Sequence, residues 1–195
     1  MTHREDLALA LELADIADAI SLDRFRAQDL HVETKPDASP VTDADRSVEQ
    51  ALKARLAEAR PDDALIGEEF GNTEGKSSGP KRTWIIDPID GTANFMRGVP
   101  VWASLIALTI DGKVVLSVVS APALGRRWWA APEIGAWTRD IDGSERILKV
   151  SSIGDLAHAS LSYNNLQLWD QSGKLSQLLE LSRKIWRTRA YGDFY

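Results

Sequence analysis

The most constraining stretch of the chain is Thr83-Trp84-Ile85-Ile86-Asp87-Pro88-Ile89-Asp90-Gly91-Thr92-Ala93-Asn94-Phe95, an apolar run that meets two aspartates three residues apart. Thr83 to Ile86 is β-branched and aromatic, the composition of a short buried strand. Pro88 fixes its own φ and pushes Asp87 into an extended conformation, so the strand is expected to end there in a stiff bend. Gly91 opens backbone geometry closed to other residues, and Thr92 or Asn94 is placed to cap a helix or turn. Two carboxylates and several main-chain N–H groups then converge on one small volume. Hard divalent cations take oxygen ligands and helix N-termini attract phosphate, so this geometry favours a metal-assisted phosphate site. Taken alone, Asp-Pro-x-Asp-Gly is more often ordinary turn chemistry.

The flanking chain reverses that balance. Ala64-Leu65-Ile66-Gly67-Glu68-Glu69 is a second short apolar run ending in acids. The order of acid pair, strand, Asp-Pro-Ile-Asp-Gly-Thr and apolar strand resembles the inositol monophosphatase-like family of magnesium-dependent phosphatases, and the run from Trp84 to Phe95 is a highly specific match. The resemblance extends from the N-terminal helix to the last residue. It implies an α+β fold in α-β-α-β-α layers, two or three Mg²⁺ ions per site, and hydrolysis of a small phosphomonoester by direct in-line attack of water. It also implies roles. Glu68, Asp87 and Asp90 would bind metal through their carboxylates and Ile89 through its carbonyl. Asp45 and Thr92 would orient and deprotonate the attacking water, the N–H groups of Gly91 and Thr92 would take phosphate oxygens, and Lys35 would approach the substrate phosphate.

Composition narrows the partners. A net charge of −6 supplies no basic face for nucleic acid. No apolar run approaches a membrane span, and Thr2-His3-Arg4-Glu5-Asp6 is too charged to open a secretory signal. The lack of cysteine removes disulfides, thiolate metal sites and a cysteine nucleophile together. A cytoplasmic enzyme acting on a small molecule is expected, without nucleic-acid or membrane partners.

Around the central stretch, Leu7, Leu11, Ala14, Ala17 and Ile20 recur at helical spacing and predict an amphipathic helix from Leu7 to about Ala27. His31 to Pro40, with its two prolines, reads as an extended hairpin or flap. Thr42 caps a second helix through Val48, Leu52 and Leu56, in which Asp43 needs no role beyond that of a first-turn acid. Gly71 to Pro80 reads as a polar loop; its Gly-x-x-x-Gly-Lys-Ser is one residue short of a P-loop and precedes no helix. Val101 to Ile110 reads as a central strand, turned by Asp111-Gly112 into Val114 to Ala121. Arg126 to Ala131, Gly135 to Thr138 and, after Asp142-Gly143, Ile147 to Val150 continue a meander of four to six largely antiparallel strands. The Trp128-Trp129 pair reads as a core or dimer contact, and a homodimer is expected.

Beyond Val150 a short helix near Asp155, a strand at Ala159 to Tyr163, a helix at Leu168 to Arg183 and a strand at Ile185 to Arg189 read as the start of an α/β domain. The expected division is thus 1–150, an α+β domain with the metal site, and 151–195, a partial second domain. Members of the resembled family continue through a Trp-Asp-x-Ala segment that supplies a further metal ligand. The chain is therefore expected to be C-terminally truncated, with one metal ion weakly held or lost. Arg97 to Ala103 and Arg189 to Phe194 look like the corresponding segments of the family's histidinol-phosphate phosphatases. L-histidinol phosphate is accordingly the expected substrate, with Arg189 and Asp193 in the wall that faces the leaving group. Inositol 1-phosphate is the competing substrate, and an inactive phosphate-binding protein is the competing class.

Overall fold

The computed structural model describes residues 3–76, 78–192 and 194. They fall into two compact units, one up to Leu148 together with Phe194 and one from Lys149 onward.

In the first unit, α1 (His3–Arg24) buries Leu7, Ala10, Leu13, Ala14 and Ala17, the stripe expected from its spacing. It ends at Arg24, short of the predicted Ala27, because Arg26 takes a left-handed φ of 65° that no α-helix passes through. A hairpin follows, β1 (Val32–Thr34) antiparallel to β2 (Pro40–Thr42), with Lys35 and Pro36 in its turn. α2 (Asp43–Ala59) opens on a reciprocal capping box: the Thr42 hydroxyl accepts from Asp45 N and the Asp45 carboxylate accepts from Thr42 N.

The remaining strands of this unit are β3 (Ala64–Gly67), β4 (Asn72–Thr73), β5 (Arg82–Asp90), β6 (Ala103–Ile110), β7 (Lys113–Ala121), β8 (Arg126–Ala131), β9 (Gly135–Arg139) and β10 (Glu145–Ile147). They form one sheet in the order β10-β9-β8-β7-β6-β5-β3-β4. It is larger than the expected four to six strands. The segment read as pure loop contributes β4, and the last strand lies at Glu145–Ile147 instead of 147–150. Neighbours are antiparallel except β3 and β5, which run parallel.

α1 and α2 cover one face of this sheet. Leu13, Val48 and Leu52 from the helices join Trp84, Ile86, Ile106, Leu108, Leu116, Val118 and Trp129 in one buried cluster. Alternation along the strands turns Ile85 to the other face, where it is 39% exposed. Trp129 thus takes the core role expected of the tryptophan pair.

The stop expected at Asp87 is instead a bulge. β5 continues to Asp90, and its pairing with β6 jumps from Asp87 opposite Leu105 to Asp90 opposite Ala103. Pro88 has no N–H to give the ladder, but its carbonyl accepts from the Ser104 hydroxyl at 2.7 Å. The chain therefore stays against β6 while an extra residue bows outward. α3 (Thr92–Phe95), a single turn, follows. Beneath it Ile89, Phe95 and Trp102 are fully buried with Ala44, and the Phe95 and Trp102 rings meet edge-on at 5.0 Å.

In the second unit, the Asp155 carboxylate caps a 3₁₀ turn at Leu156–His158, and β11 (Ser160–Ser162) pairs parallel with β12 (Arg187–Arg189). The single helix expected over Leu168 to Arg183 is two, α4 (Leu166–Gln171) and α5 (Leu175–Ser182). Gly173, at φ 68°, breaks the helix between them, so Trp169 and Asp170 stand near the end of α4. Among the described residues no helix is long and apolar enough to cross a membrane.

Candidate metal centre

The parallel register of β3 and β5 sets Gly67 opposite Ile86, so the next residues, Glu68 past the end of β3 and Asp87 at the bulge of β5, leave that pairing together. Both lie just past the carboxyl end of the parallel pairing, where open α/β sheets expose their ligand sites. Burial pushes the Asp87 carboxyl well above the usual carboxylate range, and the charges of Glu68, Asp90 and Asp45 push it further the same way. Its Oδ1 is buried and has no hydrogen-bond partner among the described residues. Clustered carboxyl oxygens, one of them without a hydrogen-bond partner, are what a hard divalent cation would satisfy. As they stand, no three acids or histidines among the described residues enclose an ion.

Gly91 takes φ 88°, so the turn into α3 depends on glycine, and the helix opens there without a side-chain cap. The capping expected of Thr92 or Asn94 does not occur because each side chain has another partner. Asn94 Nδ2 donates to the Val101 carbonyl at 2.8 Å. The Thr92 hydroxyl lies 3.2 Å from Asp45 Oδ1 and 3.0 Å from the Ile89 carbonyl. Asp45 is fully buried and takes the Thr42 N–H on Oδ2 at 2.8 Å. Burial raises its pKa, opposed by the bonds from Thr42 and Thr92. The structure thus brings Asp45, Thr92, Ile89, Asp87 and Glu68 into one group, continuous in sequence with Asp90 and Gly91.

Lys35 reaches this group from the β1–β2 turn. Its Nζ lies 2.7 Å from Glu68 and 2.6 Å from Glu69. Burial works against its ammonium, but the two carboxylates hold its pKa above the ordinary value. The lysine expected at substrate phosphate is here an ion partner of the acids. Asp43, read as a first-turn acid, pairs with Arg24 at 2.7 Å. Arg189 belongs to the second unit, where its guanidinium donates to the Thr188 carbonyl at 2.7 Å. Asp193 lies outside the described residues.

One residue was missed. Glu49 is fully buried on α2, one turn after Asp45, and accepts from the main-chain N–H groups of Glu69 and Phe70. The available signal was an acid inside the stripe Ala44, Val48, Leu52, Leu56, since buried acids occur where something pairs with them.

The model of the inositol monophosphatase family matches residues 3–194. The histidinol-phosphatase of Streptomyces coelicolor is 52% identical over 99% of this chain and 73% of its own length. That of Mycobacterium tuberculosis is 53% identical over 100% of the chain and 73% of its own length. Among solved structures, the suppressor protein suhB from Bartonella henselae superposes with a TM-score of 0.85 at 28% identity, covering 96% of this chain and 70% of that one. The Thermotoga maritima IMPase superposes at 0.81 with 27% identity, covering 98% and 69%. The layered α+β fold expected from the sequence is therefore the fold found. With the family model matching nearly end to end, and relatives more than half identical along the chain, this protein belongs to the inositol monophosphatase family.

Proposed function

We propose that the chain is a Mg²⁺-dependent phosphomonoesterase that converts L-histidinol phosphate to L-histidinol and phosphate. The reaction class rests on one observation above the others: the buried, partnerless Asp87 Oδ1 beside further carboxylates. The substrate rests on the two histidinol-phosphatases at 52% and 53% identity. Glu68, Asp87 and Asp90, with the Ile89 carbonyl, are the residues that would hold the metal, an all-oxygen set suited to Mg²⁺. When bound, Mg²⁺ supplies Lewis-acid polarisation of the phosphoryl group and lowers the pKa of water.

The protein's own groups do the rest. The Thr92 hydroxyl orients the attacking water, and Asp45, made more basic by burial, draws the proton through it. N–H groups of Gly91 and Thr92 take phosphate oxygens; α3 is a single turn, so this rests on individual donors more than on a helix dipole. Lys35 adds a positive charge at the acids and is the proposed phosphate contact, while Arg189 and Asp193 are proposed to face the leaving group. Residues 1–150 form the domain that carries the metal in this reading. The reading further places the enzyme in histidine biosynthesis, in the cytoplasm, as a homodimer.

Phosphate release with Mg²⁺ tests the substrate. kcat/KM should be higher for L-histidinol phosphate than for inositol 1-phosphate or fructose 1,6-bisphosphate. Histidinol phosphate carries an ammonium group for which Asp193 would be a charge partner in this reading, and neutral inositol has none. Asp193→Asn should therefore penalise histidinol phosphate selectively. An initial preference for inositol 1-phosphate, or equal losses on all three substrates, would overturn the assignment.

A further inference from the structure

We infer that Glu49 is a positioning residue that presets the Glu68 segment for metal. Glu49 Oε2 accepts from Glu69 N at 2.7 Å and Oε1 from Phe70 N at 2.9 Å. These N–H groups lie past the end of β3, where the sheet offers them no ladder partner. The chain also turns back here, Gly67 N reaching the Gly71 carbonyl at 3.3 Å. Glu68 is therefore held on both sides, by Gly67 on β3 and by two consecutive N–H groups on one carboxylate.

Gly67 completes the device. A Cβ on Gly67 would stand 2.0 Å from Glu49 Oε1 and 2.5 Å from Cδ, so the carboxylate fills the space a side chain would need. The φ of Gly67 is not in the left-handed region, and close approach is the reason for glycine. A fully buried carboxylate is costly unless its oxygens are bonded, and two charge-assisted N–H bonds meet that cost. With Asp45 one turn earlier, the same helix face supports the water-orienting hydroxyl and the segment that carries Glu68. A ligand already ordered loses less freedom on binding, and residues standing behind metal ligands are typically worth about 10- to 100-fold in affinity.

The inference rests on Glu68 being a metal ligand, so the experiment separates the two ideas. Mg²⁺ affinity is measured by calorimetry on wild type, Glu49→Gln and Gly67→Ala. Glutamine keeps the shape but turns an NH₂ toward one N–H; the alanine methyl is accommodated by displacing the Glu49 carboxylate. Both variants should bind Mg²⁺ about 10- to 100-fold more weakly. Both should unfold cooperatively, and kcat should recover at high Mg²⁺ with substrate KM unchanged. A merely structural role would lower stability without that Mg²⁺-dependent recovery. Wild-type affinity in folded Glu49→Gln overturns the inference and leaves the metal site standing, whereas no binding by wild type overturns both. If neither variant folds, amide exchange of Glu69 and Phe70 in wild type decides. Protection with and without Mg²⁺ supports presetting, and protection only with Mg²⁺ refutes it.

Discussion

Asp90→Asn should remove nearly all Mg²⁺-dependent phosphatase activity while the chain stays folded. The substitution keeps the shape and takes away the anion, lowering metal affinity and water activation together. A change behind a ligand typically costs about 10- to 100-fold in affinity or activity, so losing a ligand's charge should cost at least the upper end of that range. The fold should tolerate it. Asp90 is half-buried at the end of the bulge, outside both apolar clusters, and its charge already burdens the Asp87 carboxyl. Circular dichroism should be unchanged and phosphate release nearly absent. Asp43→Asn is the control: it loosens the pair with Arg24 and should leave turnover near wild type. A folded Asp90→Asn protein with full activity would remove Asp90 from the metal site.

Thr92→Val should lower kcat by a factor on the order of 10² to 10⁴ and change KM little. Valine preserves the β-branched volume and deletes only the hydroxyl that lies between Asp45 Oδ1 and the Ile89 carbonyl. Orientation of water is realised in the transition state, so its loss should appear in kcat. Asp45 should partly retain its place through the bonds from Thr42. Steady-state kinetics showing a raised KM with kcat intact would make Thr92 a substrate contact.

The parts legible in the sequence were those whose physics is local. Thr42 and Asp45 announce a helix start because the two bonds of a capping box lie within four residues. Asp111-Gly112 announces a hairpin because both residues accept positive φ, 50° and 76°. The Trp84 to Phe95 run pointed to the family that the matches bear out, and through it to the candidate site. What escaped the sequence was set by partners distant along the chain. The bulge at Pro88 needs Ser104, sixteen residues on, to hold the bowed chain against β6. Thr92 fails to cap α3 because Asp45, forty-seven residues earlier, competes for its hydroxyl. Lys35 could be placed near the acids but not between Glu68 and Glu69 in particular. Glu49 acts entirely through main-chain groups twenty residues away, which no local pattern encodes.

Thermal unfolding of wild type and Asp87→Asn across a Mg²⁺ titration tests the metal site most directly, because it asks for the cation without asking for a substrate. A ligand that binds only the folded chain adds about 2.7 kcal/mol of stability at a hundredfold excess over Kd. The wild-type Tm should therefore climb with Mg²⁺, and that of Asp87→Asn should stay nearly flat while starting no lower, since a neutral amide then replaces a buried carboxyl crowded by the charges of Glu68 and Asp90. A wild-type Tm indifferent to Mg²⁺, or an equal rise in both proteins, would contradict a metal centre at Glu68, Asp87 and Asp90.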